Sequence, residues 1–258
     1  MTRIVAITAF LITLAAASAG AIAVTSGGGA SEAAVTAATF EPPAQAAKKK
    51  PIPYEINDLF IETNATDGDI GLQLLADVDE WDKFTLRDPK GRKLMMKAQT
   101  KGRLQGWGLT ELFWETAEPE FSEVPLRKFK KRFPAGKYTF RGRSVDGRKI
   151  AGSDKLTHVI PDGPVITSPT KNEQVNANSL AVSWEPVTNP AGVEIASYQV
   201  IVVQEPVERV TLNLDADVTS VDIPAEALTP GAPETKVEVL AKEKSGNQTI
   251  TEVPFSVK

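Results

Sequence analysis

From residue 51 onward, apolar and polar positions alternate in short runs separated by turn residues, the period-2 signature of half-buried β-strands. In the first half such runs cover residues 56–61, 70–75, 81–87 and 93–97. The last two are joined through Asp88-Pro89-Lys90-Gly91, where Pro presets φ and Gly accepts the left-handed position of a reverse turn. Residues 109–116 fit two patterns: Leu109, Leu112 and Phe113 match helical spacing, whereas length and aromatic content match a strand, the expectation adopted here. Leu126, Phe129 and Phe133 recur at i, i+3 and i+7, which predicts one short helix over 124–133 with Pro125 in its first turn. Pro134-Ala135-Gly136 ends that helix. Residues 137–144 then alternate Tyr138 and Phe140 against polar neighbours, and Asp146-Gly147 predicts a hairpin back through 150–159. In the second half, Leu180–Trp184, Tyr198–Val202 and Lys236–Ala241 alternate in the same manner.

Ile160-Pro161-Asp162-Gly163-Pro164 separates the halves. Its stiffness predicts two domains, 51–162 and 163–258, set end to end with limited swing. In the second half the order of key residues is Trp184-x-Pro186, Tyr198-x-Val200, Leu228-x-Pro230-Gly231, then Val237-x-Val239-x-Ala241 and Ser245-Gly246. This order resembles the fibronectin type III family over residues 164–258. The resemblance implies an antiparallel sandwich with Trp184 and Tyr198 in its core, and a role in spacing or presenting other modules. The tyrosine expected two positions before the first valine is Thr235 here, which removes a corner hydrogen bond. In the first half, Pro134-x-Gly136-x-Tyr138-x-Phe140 is similar to the corner of immunoglobulin-like sandwiches, where the Tyr hydroxyl bonds backbone. The expected fold class is therefore all-β: two tandem immunoglobulin-like and fibronectin type III-like sandwiches with one short helix in the first.

Composition changes this picture at the N-terminus. Met1-Thr2-Arg3, an apolar run from residue 4 to 14, and the small residues around Ala19 and Ala23 read as a secretory signal peptide over 1–23. The rival reading is a retained membrane anchor, since 4–24 approaches the ~20 residues that span a bilayer. Residues 24–50 are rich in Ala, Gly, Ser and Thr and predict a disordered tether. Export combined with no cysteine at all points to a bacterial periplasm or the medium rather than a disulfide-forming animal pathway. Lys and Arg number 19 against 18 acidic residues over 51–162, but 6 against 13 over 163–258. An acidic second half argues against nucleic acid or anionic membrane as partner, because both reward clustered cations.

Candidate chemistry is sparse. With one histidine, His158, and no cysteine, thiol nucleophiles and His/Cys zinc sites are unavailable. Glu111 and Glu115 would lie ~13 Å apart along a strand, beyond the roughly 5–9.5 Å of a glycosidase pair. Asn64-x-Thr66-Asp67-x-Asp69 offers oxygen ligands but lacks calcium-loop spacing and reads as a turn. Residues 127–132 place five cations on the outer face of the expected helix. Asn64-Ala65-Thr66 and Asn247-Gln248-Thr249 match the glycosylation pattern without meaning in a bacterial envelope. Trp107 stands apart: Gly102, Gly106 and Gly108 surround it, which predicts a mobile loop rather than a strand, and a loop tryptophan suits ligand contact. Trp81, Trp114 and Trp184 lie in strand-like runs and are expected in the core.

The expectation is thus an exported, non-enzymatic interaction protein without cofactor or metal. Its first domain engages an envelope protein or glycan, and its second acts as spacer or docking module. It would not insert in the membrane after signal cleavage. A carbohydrate-active protein is the alternative.

Overall fold

A computed structural model describes residues 50–258 except Arg92; the expected signal peptide and tether lie outside the described residues. Among the described residues the fold is all-β with one short α-helix. Its strands are β1 (Ile56–Asn64), β2 (Asp69–Arg87), β3 (Leu94–Gln99), β4 (Leu109–Glu115), β5 (Gly136–Ser144), β6 (Lys149–Leu156), β7 (Val165–Ser168), β8 (Gln174–Val175), β9 (Ala181–Glu185), β10 (Ile195–Gln204), β11 (Val207–Asp215), β12 (Ser220–Asp222), β13 (Thr235–Glu243) and β14 (Gln248–Val257). The helix α1 spans Leu126–Arg132.

The expectation of separate strands at 70–75 and 81–87 is corrected. They are one continuous strand, β2. Its N-terminal part pairs with β1 and β4, and its C-terminal part with β5 and β3, with register shifts on either side of Trp81. A bulge at that point bends one strand from one layer of the sandwich into the other. The polar stretch Asp77–Glu80 that breaks the alternation marks this bend, not a loop. Between the layers lie Leu59, Ile61, Leu72, Leu74, Phe84, Leu86 and Phe140, all essentially inaccessible. Phe129 plugs α1 into this core, Tyr54, Phe84 and Phe140 meet edge to face, and Trp114 packs against it half-buried. The Tyr138 hydroxyl donates to the Pro134 carbonyl at 3.0 Å, closing the corner that the sequence suggests.

The second core is built from Trp184, Tyr198, Val200, Val202, Val237, Val239, Phe255 and neighbours. It lies between the sheet β12-β9-β7 and the strands β11-β10-β13-β14. The Trp184 and Tyr198 rings meet at 5.3 Å, and the Tyr198 hydroxyl accepts from Val187 N at 2.9 Å. The missing corner hydrogen bond is replaced from another strand. Buried Gln204 accepts from Thr229 N at 2.9 Å through Oε1 and donates to Thr229 O at 3.0 Å through Nε2. A side-chain amide thus pairs with both backbone groups of Thr229 beside the Thr235 corner.

The two cores are joined by more than a linker. Strands β1 and β14 run parallel over Glu62–Gln248, Thr63–Thr249 and Asn64–Ile250, so one eleven-stranded sheet crosses the junction. Asn247, fully buried, organises it. Its Oδ1 accepts from Ile61 N at 2.8 Å, and its Nδ2 donates to Val159 O at 2.7 Å and Thr157 Oγ1 at 2.9 Å. Thr63 and Thr249 hydroxyls meet at 2.7 Å, and Asn64 Nδ2 donates to Glu252 at 2.8 Å. Gly163 has no room for a side chain, since a Cβ would sit 2.5 Å from Thr251 Oγ1 and 2.6 Å from Ala65 Cβ. Both Asn-x-Thr sequences are therefore parts of this seam.

Candidate functional site

Trp107 is the one residue singled out by sequence as a ligand contact, and the fold presents it at the surface. After β3, Thr100 N bonds Asp82 O at 2.9 Å, and the chain leaves the sheet. A short 3₁₀ turn over Gly102–Leu104 follows, with Gln105 N to Gly102 O at 3.1 Å and Trp107 N to Leu104 O at 3.2 Å. Gly102, Gly106 and Gly108 all have positive φ, which lets so short a segment reverse twice. Trp107 is left 79% exposed, with Leu104, three residues earlier in the same loop, at 52%. An indole so exposed adds little to the core, whereas Trp81 and Trp184 are each 3% exposed.

Gly108 fixes where this loop lands. A Cβ there would lie 2.8 Å from Glu80 Cβ and 2.9 Å from Val145 Cγ2. The loop therefore closes directly onto the bend of β2 and the β5–β6 hairpin. Those two elements line a cleft of about 430 Å³ formed by Asp79, Glu80, Ser144, Val145, Asp146 and Arg148. The hairpin is held by its own polar groups. Asp146 accepts from the Ser144 hydroxyl and from Arg148 Nε at 2.8 Å, and Gly147 turns at φ 85°. The Ser144 hydrogen bond and the Arg148 backbone N–H hold the Asp146 carboxyl below its usual range, so it is ionised at neutral pH. Sequence reasoning finds Trp107 through its glycines but not these partners, because Asp79 and Glu80 read as part of a break between strands.

The remaining candidates take structural places. His158 Nε2 lies 2.8 Å from the Phe133 carbonyl, and Lys130 donates to the His158 carbonyl at 3.3 Å, tying α1 to the segment before the seam. Arg127, Lys128, Lys131 and Arg132 are exposed. Asn64 Oδ1 accepts from Thr66 N at 2.8 Å and Asp67 N at 3.1 Å, an Asx turn between β1 and β2. Glu111 and Glu115 lie in β4.

A second cluster was not visible in the sequence. Glu62 on β1, Glu115 on β4 and Glu118 bring carboxylate oxygens within 4.8 Å of one another. Glu62 is buried and accepts from Gln73 Nε2 at 2.7 Å and from Gln248 Nε2, so both its oxygens are engaged. Glu118 folds over Gly71, its Cγ 3.0 Å from where a Cβ would stand. Burial pushes the Glu62 carboxyl up to about 7 against the amide hydrogen bonds, and burial together with a hydrogen bond to Glu115 pushes Glu118 well above the carboxylate range. All three carboxyls belong to the first sandwich, with the Gln248 amide reaching Glu62 from across the seam, and the donor amides on Glu62 leave its oxygens already engaged.

No known family's sequence profile matches the chain, and no curated protein does. Solved structures with which it shares a similar course include a bacterial ice-binding adhesin involved in host cell surface retention (16% identity, 81% of this chain and 66% of that one, TM-score 0.26). Others are the FN1–FN3 domains of chicken CNTN1 (11%, 80% and 65%, 0.29) and the Ig1-2 module of the Drosophila receptor protein tyrosine phosphatase DLAR (12%, 81% and 100%, 0.36). The chain spans just under two thirds of the adhesin and CNTN1 chains. Such distant likenesses, immunoglobulin- and fibronectin-type in kind, carry no function across. No helix among the described residues is long and apolar enough to cross a membrane.

Proposed function

We propose that this chain is an exported, non-enzymatic interaction protein, in which a rigid pair of sandwiches presents the Trp107 loop to an envelope partner. The observation that carries this reading is the 79% exposure of Trp107 on a loop whose glycines and hydrogen bonds hold it away from the core. Large rigid aromatics contribute much of the energy at interfaces, and a folded chain gains nothing by leaving one in water. The second sandwich, acidic and without comparable display, serves as spacer or docking module. His158 is engaged with the Phe133 carbonyl and Glu62 with two side-chain amides, structural places that support a binding role over hydrolysis. Capture from native envelope preparations by the mature chain and by Trp107→Ala tests this. Capture should fall at least tenfold in the variant; equal capture would refute the reading.

A further inference from the structure

We infer that the Trp107 end is a carbohydrate site, taking a neutral sugar chain with one pyranose ring on the indole and neighbouring hydroxyls in the cleft beside Gly108. This rests on the reading of Trp107 as the contact residue and adds the chemical class of what it contacts. One observation is the pairing of surfaces. An indole face carries the negative side of a π quadrupole and suits the C–H face of a pyranose. The adjoining cleft is lined by planar polar groups, Asp79, Glu80, Asp146 and Arg148, with the Ser144 hydroxyl. Carboxylates accept from vicinal hydroxyls and a guanidinium donates to them in a fixed fork. Gly108 joins the two surfaces, since it packs against Glu80 and Val145 too closely to admit a Cβ while its neighbour in sequence is Trp107.

Scale and charge narrow the class. At about 430 Å³ the cleft falls in the ordinary range of small-ligand sites, roughly 300–1,000 Å³. A stable protein interface needs ~800 Å² on each side with an apolar centre. Around Trp107 the loop offers instead exposed Lys101, Arg103 and Gln105 with Leu104 as its other large apolar side chain. Three carboxylates face one guanidinium in the cleft lining, and Asp146 is held ionised by its hydrogen bonds. Within the cleft, uronate or phosphate groups would meet an excess of carboxylates, whereas the hydroxyls of an uncharged glycan meet hydrogen-bonding partners. The Arg148 and Asp146 side chains remain 45% and 58% exposed, so the groups that would bind hydroxyls are open.

The test uses the mature chain on a glycan array spanning neutral and acidic polysaccharides, followed by titration calorimetry with the best neutral oligosaccharide and with oligogalacturonate. Saturable binding of a neutral sugar is expected, weakened at least tenfold by Trp107→Ala and several-fold by Arg148→Met, with oligogalacturonate inert. The bound sugar should shield one tryptophan from acrylamide quenching in the wild type and none in Trp107→Ala. If no neutral glycan binds, or the acidic one binds equally, the sugar class is overturned. Envelope capture that still depends on Trp107 would then preserve the contact reading. If a neutral sugar binds but Trp107→Ala binds it as well, both are overturned.

Discussion

Two regions of the molecule treat polar groups in opposite ways. At the seam between β1 and β14, Asn247, Thr63, Thr249, Gln248 and Glu62 are buried, and the buried amides and hydroxyls there have partners. At the Trp107 end, a large apolar ring and a set of ionised groups stand open to water. Buried polar groups hold a fold only when they are satisfied, and an unsatisfied one costs about 1–3 kcal/mol. An exposed ring contributes to folding in neither direction. On the reading proposed above, the contrast separates stability at the seam from recognition at the Trp107 loop. Changes at the seam should move melting and leave binding alone, and changes at the tip should do the reverse.

The largest effect should come from Asn247→Ala. It leaves Ile61 N and the Val159 carbonyl without a partner inside the seam, so a loss of about 3 kcal/mol is expected. For a unit of this size that is a drop of roughly 6–12 °C in Tm, read by calorimetry. Loss of cooperativity, with the two sandwiches melting apart, would sharpen the comparison further.

The pH dependence should come next. The Glu62 and Glu118 carboxyls are raised above their ordinary value of 4.5 by burial. Between that value and their folded ones the native state binds more protons than the unfolded chain. The seam's stability is thus fully present below pH ~4.5 and declines as pH rises through about 7 for Glu62, continuing more alkaline for Glu118. A fall in Tm between pH 5 and pH 9 is expected, read by calorimetry across that range. Glu62→Gln, with one neighbouring amide flipped, should flatten the part of the Tm–pH curve between pH 5 and 7. An unchanged slope would show that burial at the seam does not hold the Glu62 carboxyl protonated.

Gln204→Ala should cost about 1–2 kcal/mol by freeing Thr229 N and O, measured by urea titration. A smaller loss would mean that the Thr235 corner needs no substitute for its tyrosine.

Period-2 alternation made most strands legible, though not β7, β8, β11, β12 or the seam strand β14, and the Trp184–Tyr198 core and the Tyr138 corner followed from residues four to fourteen positions apart. Displayed Trp107 was legible too, because three nearby glycines announce a loop. Longer-range pairings were not legible. Thr235 showed a lost hydrogen bond, but its replacement by Gln204 lies on another strand, 31 residues away. Asp79 and Glu80 looked like a strand break because a bulge interrupts alternation without ending pairing. The seam joins Glu62 to Gln248 across 186 positions, and nothing local in either sequence marks its partner. Local chemistry writes itself into periodicity; contacts made by closing the fold do not.

The claim that the Trp107 ring serves contact and not folding is tested most directly by the melting temperature of Trp107→Ala beside that of Asn247→Ala, under one buffer condition. The account predicts that Trp107→Ala melts within about 1 °C of the parent, a surface change of less than ~0.5 kcal/mol, while Asn247→Ala falls by several degrees. A drop for Trp107→Ala as large as that for Asn247→Ala would contradict it, because the ring would then be part of the packed fold.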